Sequence, residues 1–103
     1  MNIQKMLKQA QELQLKMTKA QEELKGREVI GSSGGGKVKI TMNGSQEVTA
    51  ISIDPEVVNP SEADLLEDLL LAAFKDAQGK VARMVEEEMG RITGGAGLPP
   101  GLF

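Results

Sequence analysis

Three sets of residues in this sequence have types and spacings that could do chemistry. The first is GSSGGGK, residues 31–37. Gly31, four residues, then Gly36 and Lys37 begin the pattern with which a P-loop cradles phosphate. Such a loop needs Ser or Thr after its lysine to hold magnesium. It must also open a helix, whose N-terminal amides receive the anion. Val38 follows Lys37 instead, and KVKITMNG alternates like a strand running into a turn. The run therefore reads as a hairpin connection whose glycines relieve backbone limits.

The second set is acidic: Glu67-Asp68 and Glu86-Glu87-Glu88. Adjacent residues on a helix splay around its axis, so these read as solvated faces and not as a cation cage. The chain has no His and no Cys, which removes the usual general base, the thiol nucleophile and the nitrogen and sulfur metal ligands. No catalytic residue, metal or cofactor is expected, and the chain does not read as an enzyme.

The third set lies near the N-terminus. Lys5, Lys8, Lys16 and Lys19 are interleaved with Gln4, Gln9, Gln11 and Gln14. Lysines that neutralise phosphates release counterions, which gives salt-sensitive binding without any aromatic residue. Glutamines can add phosphate or groove-edge contacts. One subunit offers few positive charges, so a useful footprint on duplex DNA needs two such segments. A bare coiled-coil scaffold is equally compatible with these residues taken alone.

The elements that would carry these residues follow from periodicity. Ile3, Met6, Ala10, Leu13, Met17, Ala20 and Leu24 recur at alternating spacings of three and four, an unbroken heptad seam. Between them stand Lys, Gln and Glu, all good helix formers, so a helix is predicted over 2–26 with Gly26 stopping it. The lysines fall off the seam. The seam wants a partner, either another part of this chain or a second copy.

The period then changes to two. A short strand around Glu28–Ser32 precedes the glycines, Val38, Ile40 and Met42 alternate with polar residues, and EVTAISI (47–53) returns. Asn43-Gly44 signals a tight turn between the last two. A three-stranded meander is expected, with GSSGGGK as its first connection.

Residues 59–92 return to a helical period. Asn59 is a candidate N-cap, with Pro60 at the first position and Glu62 closing a capping box. Gly79 and Gly90 weaken this segment, and either can bend or break it. GGAGLPPGLF (94–103) has no periodicity and reads as a flexible tail, leaving one domain over 1–93.

Composition sets bounds. The 103 residues include two Phe and no Trp or Tyr, so aliphatics, Ala and Met must fill a light core that favours oligomerisation. The net charge of −3 hides an asymmetry: residues 1–39 carry eight Lys and Arg against four Glu, while residues 40–103 carry four against eleven acids. No apolar run approaches a membrane span and the start lacks a signal-peptide core, so a cytoplasmic protein without membrane contact is expected.

Taken in order, MLKQAQELQLKM, GSSGGGKVKITMNGSQEV, ISIDPEVV, LLEDLLLAAFKDAQGKV and GGAGLPPG resemble the YbaB/EbfC family of nucleoid-associated proteins. The resemblance implies an α/β (α+β) fold: a long N-terminal helix, a three-stranded antiparallel sheet and a C-terminal helical region. It also implies a tweezer-like homodimer whose helical arms grip double-stranded DNA on the bacterial nucleoid. Carried over by element and charge, Lys5, Lys8, Gln9, Lys16 and Lys19 become candidate DNA contacts, with Lys80, Arg83 and Arg91 on the last helix. The candidate dimer interface is Leu65, Leu66, Leu69, Leu70, Ala73, Phe74, Ala77 and Met84, together with the sheet. The alternative reading is a coiled-coil interaction module that engages another chain, for instance in recombination or repair machinery, with DNA contact incidental.

Overall fold

The computed structural model describes residues 2–96. Helix α1 (Ile3–Lys25) starts where the Asn2 side chain accepts the Lys5 N–H at 3.1 Å. It ends at Gly26, which keeps a right-handed backbone (φ −88°) and donates to the Glu23 carbonyl, while Arg27 N–H donates to that of Leu24. Strands β1 (Glu28–Ser33), β2 (Val38–Asn43) and β3 (Val48–Ile53) follow, and helix α2 (Ala63–Ala96) closes the chain. Both strand pairs are antiparallel and the spatial order is β1-β2-β3, so the architecture is the expected α+β meander between two helices.

The period-two pattern of β2 decides which face is buried. Val38, Ile40 and Met42 point at α2 and pack on Ala73, Ala77 and Val81. Register places Val29, Gly31 and Ser33 of β1 opposite Met42, Ile40 and Val38, on that same face. A second cluster joins the helices: Ala20 and Leu24 of α1 meet Met84 and Met89 of α2. The burial is aliphatic and sulfur-rich, as the composition requires.

Several connections differ from the sequence expectation. Gly31, Ser32 and Ser33 lie in β1, and only residues 34–37 form the connection, a tight turn with φ of 60°, 68° and 90° at Gly34, Gly35 and Gly36. Gly31 is needed there for space: a Cβ on it would stand 2.3 Å from the Ala73 carbonyl oxygen and the Ala77 nitrogen. The second turn is also wider than Asn43-Gly44 implies. Its left-handed residue is Gln46 (φ 63°), and Asn43 Oδ1 organises it by accepting the N–H groups of Ser45 and Glu47. Gly44 again serves close approach, since a Cβ would meet the Leu24 carbonyl oxygen at 2.3 Å. β3 opens at Val48, and a bulge between Thr41 and Met42 shifts its register.

At the start of α2 the predicted capping box is replaced by a separate single turn, Pro60–Glu62. Asn59 caps it by accepting the Ser61 N–H at 3.1 Å, and the helix proper begins at Ala63. Neither Gly79 nor Gly90 breaks α2, which runs 34 residues without interruption. The helix backbone continues through Ala96, three residues beyond the expected domain limit. Residues 97–103 of the tail lie outside the described residues.

Candidate nucleic-acid interface

Helix α1 sets out its chemistry on separate faces. At 100° per residue, Lys5, Lys8, Gln9, Lys16 and Lys19 fall within a sector of roughly a third of a turn. All five are exposed. The seam lies about a third of a turn away, and only its last part is spent: Ala20 and Leu24 are buried, while Ile3 and Met6 are 65% and 55% exposed. Among the described residues, no acid forms an ion pair with the four lysines. Glu12 stands in the middle of this face, four residues from both Lys8 and Lys16. It was legible in the sequence and dilutes the positive stripe.

The root of α1 is fixed by backbone groups. Gly44 N–H donates to the Leu24 and Arg27 carbonyls at 2.9 and 3.1 Å, tying the end of the helix to the β2–β3 turn. The lysine face therefore projects from an anchored base.

Two of the three candidate cations of α2, Lys80 and Arg91, have other engagements. Lys80 Nζ donates to the Ile30 carbonyl at 2.7 Å and lies 3.3 Å from Asp76. Asp76 in turn accepts the Ser32 N–H at 3.0 Å. Ile30 and Ser32 present their polar groups at the outer edge of β1, so this pair covers an edge that would otherwise invite another strand. The Ser32 N–H, then Lys80, hold the Asp76 carboxyl below its usual range. Its contribution to stability is thus present at neutral pH and is lost as pH falls through its lowered value. Arg91 is held by Glu88 one turn earlier. Arg83 is exposed and, among the described residues, has no ion-pair partner. Lys80→Ala is expected to lower the melting temperature by only a few degrees, read in a thermal melt, since the contact is half-exposed.

The remaining sequence candidates are accounted for. Lys37 is drawn to Glu56 at 2.9 Å, which raises its pKa, and a strand follows it. The glycine turn therefore opens no helix that could receive phosphate. Of the candidate interface residues, Ala73, Ala77 and Met84 are buried in the chain's own core. Leu66, Leu69, Leu70 and Phe74 are partly buried against it, and Leu65 is exposed.

The sequence profile of the YbaB/EbfC DNA-binding family matches residues 1–96. The chain belongs to the YbaB/EbfC DNA-binding family. Its relatives include a nucleoid-associated protein of Rhodospirillum rubrum, 50% identical over 98% of this chain and 94% of that one. A nucleoid-associated protein of Dictyoglomus turgidum is 52% identical over 94% of this chain and 93% of its own. The YbaB/EbfC architecture is also similar to the crystal structure of an uncharacterized protein of Helicobacter pylori. That similarity has a TM-score of 0.79 at 18% identity and covers 89% of this chain and 97% of the other, a likeness of fold.

Proposed function

We propose that the protein is a homodimer that grips duplex DNA with its two α1 arms and so associates with the bacterial nucleoid in the cytoplasm. There it influences nucleoid organisation, gene expression or repair. The observation that carries this reading is the lysine face of α1: four exposed cations on one side of an anchored helix, none held by an internal acid among the described residues. Membership of a DNA-binding family supplies the ligand.

Support for the dimer comes from the sheet. Helix α2 packs on β1 and β2, and its side chains cap the outer edge of β1. β3 has no such cover among the described residues. Val48 and Ile51, on or near the apolar face, are 42% and 56% exposed, with Leu65 and Leu71 similarly bare. A second copy seated on the β3 side would bury Val48 and Ile51 and set two arms on one assembly.

The test is fluorescence anisotropy of a labelled duplex titrated at several salt concentrations, with sedimentation to count chains. Eight lysines per dimer, each meeting one phosphate, give a slope of log affinity against log salt of about −7. A monomer in sedimentation, or no binding at low salt, would sink the proposal. In the second case the exposed Ile3, Met6 and Leu7 favour the other reading, an apolar contact of α1 with a protein partner such as a repair factor.

A further inference from the structure

Among the described residues, Glu88 is the one carboxylate that the fold buries, at 8% exposure. It receives cations from two elements. Arg91 approaches from the next turn of α2, and Arg27 Nη1 lies 3.6 Å away. Arg27 belongs to the link Gly26-Arg27 between α1 and β1, the segment whose carbonyl Gly44 also holds. The exit of α1 is therefore pinned from two sides, by the β2–β3 turn and by Glu88 on α2.

Among the described residues of one chain, little else fixes the direction of the arm. Beyond that link, among the described residues, α1 contributes to the body's clusters only through Ala20 and Leu24. All four lysines of the proposed DNA face lie farther out. From Leu24 to Lys5 the helix runs about 29 Å, so a tilt of about 10° at the root moves the Lys5 end by about 5 Å. That exceeds the roughly 3.4 Å axial rise between phosphates of one strand, enough to put the lysines out of register.

We propose that Glu88 is a positioning residue for DNA recognition: its pairing with Arg27 sets the direction of the α1 arm without Glu88 touching the nucleic acid. The proposal rests on the DNA-binding reading above, and it makes a prediction of unusual sign. Removing a negative charge from a polyanion-binding protein ordinarily raises affinity. Glu88→Gln removes one and is expected to weaken binding severalfold. Glu87→Gln makes the same charge change at the adjacent exposed side chain and is expected to leave affinity equal or raise it. Glu88→Asp, which keeps the charge on a shorter stem, should restore part of the loss.

The arm is also read directly, without DNA. The sequence contains no cysteine, so single cysteines introduced at exposed Gln11 and Ser52 take two spin labels cleanly. Labelled chain diluted in unlabelled chain then reports the distance from arm to sheet by pulsed electron resonance. A narrow distribution is expected in the parent, and a broadened or displaced one in Glu88→Gln and in Arg27→Gln. The second variant removes the partner at an exposed position and decides the matter if Glu88→Gln fails to fold. Unchanged distributions overturn the proposal, as does a rise in DNA affinity in Glu88→Gln. A displaced arm in a protein whose parent does not bind DNA leaves the positioning role standing and sinks the DNA reading instead.

Discussion

Gly31→Val is expected to yield no folded protein, and Gly31→Ala a protein with a melting temperature lowered by about 10–20 °C. The cause is the distance at which α2 lies on β1. A Cβ at residue 31 would stand 2.3 Å from the Ala73 carbonyl oxygen and the Ala77 nitrogen, and 2.6 Å from the Ala77 Cβ. Two of those three atoms are helix backbone, which cannot rotate away as a side chain does. Relief requires moving α2 off the sheet, and that movement opens the packing of Val38, Ile40 and Met42 against Ala73, Ala77 and Val81. Overpacking in a yielding core costs about 1–3 kcal/mol, and an unyielding backbone contact costs more. A domain of this size holds on the order of 5–15 kcal/mol in total. Circular dichroism melts of both variants check this, and an alanine variant that melts with the parent would show that α2 can slide without penalty.

This glycine also shows where sequence reasoning meets its limit. Glycine is most often informative about φ, so a run of them reads as a turn, and Gly34–Gly36 do adopt positive φ. Gly31 and Gly44 are present for a different reason, the absence of a Cβ where another element's backbone comes within contact. That reason depends on tertiary approach, and nothing local announces it. Gln46 is the converse case, a left-handed residue of a type that signals no turn, held by Asn43 in the turn it closes.

The helices were legible from period and propensity because their apolar faces repeat regularly, and the sheet from its alternation about Lys39 and Thr41. How the seam of α1 is satisfied was not. The heptads from Ile3 to Leu24 look uniform, yet only Ala20 and Leu24 are buried, because α2 meets α1 near its base. Charge was legible in part. Asp76 and Lys80 stand at the i, i+4 spacing of a helix pair, and Glu88 and Arg91 at i, i+3, so their engagement had a sequence signal. The contacts of Lys80 with the Ile30 carbonyl and of Arg27 with Glu88 had none, since each joins elements far apart in the chain.

Replacing Lys5, Lys8, Lys16 and Lys19 together by glutamine is expected to abolish DNA binding while leaving the fold in place. Gln and Lys have nearly equal helix propensity, and the four side chains are exposed, so the packing of Ala20 and Leu24 on Met84 and Met89 is untouched. Lost attraction to Glu12 and Glu23 at i, i+4 spacing amounts to a few tenths of a kcal/mol for each pair. The melting temperature should therefore move by only a few degrees. The electrostatic consequence is far larger. Taking four positive charges from a chain of net charge −3 leaves it at −7. The proposed dimer would lose the counterion release of about eight phosphate contacts, worth on the order of 10³-fold in affinity or more. Glu12 then stands without cations on its face and turns the arm repulsive. Anisotropy at low salt should show no binding, with a sedimentation coefficient equal to the parent's. Retained affinity with an undiminished salt slope would mean that the phosphates are met elsewhere, and Arg83 is the first alternative because no acid pairs with it among the described residues. Weak binding that has lost its salt slope would point to polar contacts from Gln9 and its neighbours, with the lysines supplying attraction and the glutamines the residual hold.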